Sequence, residues 1–444
     1  MDPYFGYEIA LAVVLLYALV VYGLYRTGRL GPDRALSLFG PALMIKTQRG
    51  RSALERWGRF QRFWTVVSDI GIGLAVLAMA VILGLLVLGA IVSFRISAAQ
   101  APTVNEAVGL PGINPFIPIT YGIIALAVGI VLHELSHGVV ARSQGIGVKS
   151  LGILWCVVPI GAFVEQDDAQ MMAASRRKRD RVAAAGVLAN FALTVLFFAL
   201  LSGLVASSIA PNANGVSVSY VQSGTPAANA SLAVGDLITS VNGTATPTAK
   251  EFQAALANTT PKETIALVYY SSNLGQTFST HVVLATNPND KARGYLGVGY
   301  SLSPSELKQT FVWPLGSDQG PLVGTVDWIV LPLGGLEPVA GATTHWYHVT
   351  GPLAGLGTDG FWILANMLYW LAWMSFLLGL SNTLPLVPLD GGLLFRDFAA
   401  SIAARFRRSW SEARLEQFAG RAVAVSSFLV LVLIAWQFIV PRLF

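Results

Sequence analysis

Apolar residues run almost unbroken in six stretches: Gly6–Tyr25, Val66–Phe94, Ile117–Ala141, Val182–Ser207, Gly360–Leu384 and Ala422–Val440. Each approaches or exceeds the roughly 20 helical residues needed to cross a hydrocarbon layer about 30 Å thick. Between the fourth and fifth stretches the pattern changes to short segments broken by Gly, Pro, Asn and Thr, as in Gly215–Val221, Ile265–Tyr270 and Thr280–Leu284. Such segments read as strands, with one helix-like stretch, Thr248–Leu256, among them. The pattern predicts a polytopic α-helical membrane protein of about six transmembrane helices, with an inserted β-rich domain.

Four segments follow: membrane residues 1–208, a β-rich domain at 211–300, a connector at 301–355 and membrane residues 356–444. In the connector, Pro304, Pro314, Pro321, Pro332 and Pro338 recur too often for a long helix or a central strand. It is expected to be irregular, with apolar patches at Phe311–Leu315 and Trp328–Leu333 lying on the membrane surface.

Composition narrows the class. Hydrophobic residues make up 54% and charged residues 12% of the 444, against about 25% charged in an ordinary soluble chain. That excludes a soluble globular protein, a disordered chain and a disulfide scaffold. Cys156 is the single cysteine, so neither an internal disulfide nor a Cys-x-x-Cys metal site can form. The first span has no basic region before it and no small-residue cleavage site after it, so it is read as retained.

The net charge of +5 reports topology rather than nucleic-acid binding. Of 29 Lys and Arg residues, 22 fall in three alternate connections: nine in Arg26–Arg62, seven in Arg142–Arg181 and six in Arg396–Arg421. Positive connections stay in the cytoplasm. Both termini and the β-rich domain are therefore expected outside the cytoplasm.

Near the cytoplasmic end of the third span stands His133-Glu134-Leu135-Ser136-His137. Positions i and i+4 share a helix face, so His133 and His137 can present two imidazoles to one metal ion. Glu134 can reach a water activated by that metal without ligating it. An uncompensated His-Glu-His cluster in an apolar helix is costly, and ionisable residues there mark functional sites. A third ligand is then needed. Asp390 follows the fifth span on the same side, where Pro385, Pro388 and the Gly391-Gly392 pair break the helix. A loop aspartate capping a turn is the competing reading.

His-Glu-x-x-His, together with Asn382-x-x-Pro385-x-x-x-Leu389-Asp390-Gly391, resembles the site-2 protease family of intramembrane zinc metalloproteases. Gly161-Ala-Phe-Val-Glu165 and Gly186-Val-Leu-Ala-Asn190 with Phe191 strengthen the resemblance. It implies one zinc per chain held by His133, His137 and Asp390, with Glu134 as general base. It also implies transmembrane protein substrates, and the Lys and Arg distribution puts the expected cut near the cytoplasmic face of the cell membrane.

Val148–Val164 reads either as a re-entrant hairpin offering an edge strand to an unwound substrate or as a packing loop. Asn190 and Asn382 either hydrogen-bond that substrate or make helix–helix contacts. In the β-rich domain, Gly224-Thr-Pro-Ala-Ala228, Val234–Gly243 and Gly294-Tyr-Leu-Gly-Val298 resemble a PDZ domain, implying a nest for peptide termini. A catalytically inactive adaptor and a transporter or channel are the rival readings. The intact Glu134 disfavours the first, and the histidine spacing disfavours the second.

Overall fold

The computed structural model of the chain describes residues 5–31, 34–310 and 341–443, together with Gly320 and Gly324. Among these, five helices are long and apolar enough to cross a membrane: Gln61–Arg95, Ile119–Ser143, Arg176–Ser208, Gly351–Asn382 and Glu412–Arg442. They coincide with five of the six expected spans. The N-terminal helix α1 (Phe5–Arg26) contributes a shorter apolar segment, Leu11–Arg26.

The chain divides into two compact units, Met1–Val195 with Leu371–Phe444, and Leu196–Trp370. After α1, the elements of the first unit begin with strands β1 (Leu36–Phe39) and β2 (Ala42–Thr47) and helices α2 (Arg51–Gly58), α3 (Gln61–Val92) and α4 (Ile119–Ser143). Strands β3 (Val148–Cys156) and β4 (Val158–Gln166) and helix α5 (Arg176–Leu200) follow. Small residues let helices approach closely: Ala75 of α3 and Ala183, Ala184 and Val187 of α5 are buried in one cluster. A Cβ on Gly71 would lie 3.1 Å from the Leu188 side chain.

Strands β1-β2-β3-β4 form one antiparallel sheet in that order. The expected hairpin at Val148–Val164 is thus half of a larger sheet. Its other half, β1–β2, arises from a stretch that the sequence showed only as a basic connection. The β1–β2 turn is tight, with Phe39 opposite Ala42 and Gly40 at φ +55°, a left-handed conformation that glycine adopts without penalty. One sheet face packs inward, where Leu151 and Val164 join Leu54, Val140, Val182 and Ala185 in a buried cluster. Ile45, Ile153, Trp155 and Ile160 are exposed apolar residues of the same strands. Tyr17 of α1 satisfies the tips of both hairpins: its hydroxyl donates to Pro41 O at 2.7 Å and Trp155 O at 3.0 Å. It also accepts Leu43 N–H at 3.2 Å.

In the second unit, strands β5 (Val216–Val221), β6 (Leu237–Val241), β7 (Thr264–Ser271), β8 (Gln276–Val283) and β9 (Val298–Ser301) form an antiparallel sheet. Their order is β8-β7-β6-β5-β9, with the two-residue strand Thr244–Ala245 pairing on β6. Helix α6 (Ala249–Ala257) buries Phe252 against Val216, Ile238, Ile265 and Leu267. This is the β-rich domain expected from the sequence. The connector contains helix Pro304–Thr310 and strand Tyr347–Val349, which pairs with Ile209–Pro211. The patches Phe311–Leu315 and Trp328–Leu333 lie outside the described residues.

Helix α7 (Gly357–Asn382) ends where Pro385 and Pro388 interrupt the chain. Helix α8 (Asp390–Phe406) then starts on Asp390, and α9 (Glu412–Ile439) closes the bundle. The sequence showed α8 only as part of a basic connection, because Arg396, Asp397 and Arg405 interrupt its apolar pattern. Two of those charges have partners, Arg396 on Glu416 of α9 and Asp397 on Arg179 of α5. Arg179 of α5 grips Asp397 through two hydrogen bonds of 2.7 and 2.8 Å, and Arg181 grips Asp69 of α3 at 2.8 and 3.0 Å. Such bidentate pairs fix geometry as well as contributing energy, and here they tie α5 to α8 and α3.

Candidate metal centre

His133 and His137 stand one turn apart on α4, both buried, with their Nε2 atoms 3.1 Å apart. Asp390 Oδ2 lies 3.1 Å from His133 Nε2 and 3.3 Å from His137 Nε2. Among the described residues this is the one group of three His, Cys, Asp or Glu side chains so placed. A zinc ion with ligand distances of about 2.0–2.1 Å in tetrahedral geometry separates its donors by about 3.3 Å. The observed triangle therefore matches one face of such a tetrahedron. Asp390 Oδ2 is buried without a hydrogen-bond donor, as suits an atom that faces a cation.

The imidazoles are oriented from behind. His137 Nδ1 lies 2.7 Å from Val182 O. A carbonyl only accepts, so Nδ1 carries the proton and Nε2 offers its lone pair to the triangle. His133 Nδ1 lies 2.9 Å from the side-chain amide of Asn190, which is fully buried and whose Oδ1 has no other partner. With the amide turned so that its oxygen faces the ring, it accepts Nδ1–H and leaves His133 Nε2 free in the same way. Asn190 is therefore placed against a candidate ligand. Asn382 Nδ2 donates to Leu378 O, one turn back in α7, at 2.9 Å.

Glycines shape the space around these groups. A Cβ at Gly186 would lie 2.5 Å from both His133 Nε2 and His137 Nε2, so only glycine leaves room beside the two imidazoles. A Cβ at Gly391 would collide with the Thr383 carbonyl, and one at Gly392 would sit 2.8 Å from Leu386 O. The loop before Asp390 is also pinned by α9. Ser426 Oγ donates to Pro385 O at 2.8 Å, and Val387 N donates to Ser427 Oγ at 3.1 Å. The spacing of motifs gave no hint of Ser426 or Ser427. Gly186 did carry a signal, as a glycine within an otherwise helix-favouring Val182–Asn190 run.

Glu134, half-buried beside His133, accepts the backbone N–H of Val164 at 3.1 Å. That bond fixes the direction of the strand's groups. Val164 stands opposite Leu151, and Ala162 opposite Ile153. In an antiparallel ladder successive residues alternate between facing the partner strand and facing away. Since Val164 N–H faces α4, Ala162 also turns its N–H and C=O away from β3. The outer edge of β4 thus presents backbone groups next to Glu134.

A family model described as peptidase family M50 matches residues 121–430. An uncharacterized protein of Methanocaldococcus jannaschii is 27% identical over 371 residues, covering 82% of this chain and 80% of that protein. A candidate zinc metalloprotease of Rickettsia conorii is 25% identical over 310 residues, covering 61% of this chain and 85% of that one. Among solved structures, the PDZ domain of an SdrC-like protein from Listeria monocytogenes matches 20% of this chain and 87% of its own length. The identity is 25% and the TM-score 0.18.

Proposed function

The chain belongs to peptidase family M50, and from that premise we propose that it is a zinc-dependent endopeptidase cutting peptide bonds within transmembrane segments of membrane-anchored proteins. The observation that carries the reading is the triangle of His133 Nε2, His137 Nε2 and Asp390 Oδ2, with sides of 3.1, 3.1 and 3.3 Å. These three residues would hold one zinc. When bound, zinc supplies Lewis acidity, polarising the scissile carbonyl and easing deprotonation of water.

The chain's own groups do the rest. Glu134 takes a proton from the attacking water and returns it to the departing amine. Val164 N–H, at 3.1 Å, aims its carboxylate. Asn190 and Val182 O keep the two imidazoles in the ligating tautomer. Peptide bonds in a helix are shielded, so the substrate unwinds and adds as a strand to the outer edge of β4, pairing with Ala162. The exposed apolar residues of the sheet suit burial at membrane depth, where irregular backbone persists only when covered by protein.

The distribution of Lys and Arg supports a site near the cytoplasmic face, with the termini and the PDZ-like domain outside. In that domain a groove of about 530 Å³ between α6 and β9, flanked by Lys250 and Arg293, suits a peptide terminus. The test is to incubate purified protein with single-span substrates, with and without a zinc chelator. Cleavage that stops on chelation and returns with zinc supports the reading, whereas cleavage indifferent to chelation contradicts it.

A further inference from the structure

The turn between α2 and α3 carries an aromatic pocket that the proposed chemistry does not use. Trp57, Phe60, Phe63 and Trp64, with Val139 of α4 as the fifth lining residue, enclose about 400 Å³. The elbow is braced, because Trp64 Nε1 donates to Trp57 O at 2.9 Å. Trp57, Phe60 and Phe63 are 60%, 48% and 58% exposed, far more than the chain leaves uncovered in its cores. An open, wholly apolar pocket of this kind accepts a hydrocarbon chain.

The rim is cationic. Arg56, Arg59 and Arg62, which alternate in sequence with the lining aromatics, have no carboxylate partner among the described residues. The nearby acid, Glu55, is taken by Arg142 at 3.2 Å. Arg59 lies over the Phe60 ring at 5.0 Å, so the charge is held at the mouth of the apolar space. Apolar depth beneath unneutralised guanidinium groups complements a molecule with a hydrocarbon tail and an anionic phosphate head. We infer that the α2–α3 elbow is a binding site for one anionic phospholipid, its acyl chain among the aromatic rings and its phosphate on Arg56 and Arg59.

The position gives the site a route to the metal helix. Val139 is two residues from His137, and a Cβ on Gly58 would lie 2.7 Å from Arg142 Cβ and 3.1 Å from Val139 O. The elbow therefore rests directly on α4, and a bound lipid would contact the side chain of Val139.

The test uses the full-length protein in detergent with phospholipids brominated on the acyl chain, reading tryptophan quenching. Brominated phosphatidylglycerol should quench at a several-fold lower lipid ratio than brominated phosphatidylcholine. The double variant Trp57→Phe, Trp64→Phe should lose that selective component. Arg56→Gln combined with Arg59→Gln should weaken the phosphatidylglycerol effect by roughly 30-fold, taking about fivefold for each cation near an anionic headgroup. Inorganic phosphate should not compete. Bound zinc should be unchanged in both variants, showing that the fold is intact. Equal quenching by the two lipids, undiminished quenching in the arginine variant, or displacement by inorganic phosphate alone would each overturn the inference.

Discussion

Glu134 Oε2 and the backbone N–H of Val164 are joined by a hydrogen bond of 3.1 Å. The proposed base and the strand proposed to receive the substrate are thus fixed to each other. Because alternation makes Ala162 face the same way as Val164, Ala162→Pro removes an outward N–H without breaking the ladder to β3. Proline is tolerated at such edge positions. Zinc content should be unchanged and KM should rise about tenfold, the worth of one or two backbone hydrogen bonds. An unchanged KM would remove β4 from substrate binding.

Asn190 should act on the metal through His133. Its amide lies 2.9 Å from Nδ1 and is wholly buried. Asn190→Ala should weaken zinc affinity by about 10–100-fold, as loss of such orienting partners does. Titration against a competing chelator measures it. Affinity equal to that of the parent protein would show that His133 is oriented by packing alone.

Gly186→Ala tests the shape of the site. The added methyl would stand 2.5 Å from both ligating nitrogens, while alanine improves helix propensity by up to about 1 kcal/mol. The variant should retain no zinc and melt close to the zinc-free parent, because the displaced imidazoles give up the metal together with the stability it adds. Stoichiometric zinc in that variant would mean that the metal lies elsewhere.

Much of this site was legible beforehand because it depends on local spacing. His133 and His137 are one helical turn apart, and the prolines and glycines around Asp390 announce a break that frees a carboxylate. What was hidden depends on contacts between distant segments. Strands β1 and β2 lie among arginines and carry too short an apolar pattern to stand out. They become a sheet because β2 pairs with β3, Leu43 facing Trp155 more than 100 residues away. Similarly, α8 has its Asp397 neutralised by Arg179, a partner that periodicity could not supply. Asn382 is a motif residue whose Nδ2 donates within its own helix, to Leu378 O, a bond that spacing does not reveal.

In the β-rich domain, Asp236 is buried and accepts N–H bonds from Ala233 at 2.9 Å and Ser272 at 3.1 Å. Burial nevertheless outweighs those bonds and raises its pKa above the ordinary value. A carboxyl that holds its proton more tightly when folded contributes stability that is fully present below the unfolded pKa, near 3.9. That contribution is lost as pH rises through the folded value. The domain should therefore melt at progressively lower temperature as pH rises from about 4. Asp236→Asn should be less stable at pH 4, because one N–H loses its acceptor, and its melting should vary less with pH. An Asn variant that keeps the full pH dependence would assign the effect to another group.

The central claim is that Glu134 moves a proton beside a metal held by His133, His137 and Asp390. The most direct measurement is zinc content together with single-turnover cleavage of a transmembrane substrate by the parent protein and by Glu134→Gln. Glutamine keeps the shape and can still accept Val164 N–H, but it cannot take the proton. The account predicts one zinc per chain in both proteins, equal substrate affinity and cleavage slower by about 10²–10⁴-fold in the variant. Cleavage at the parent rate by Glu134→Gln, with zinc still bound, would contradict it.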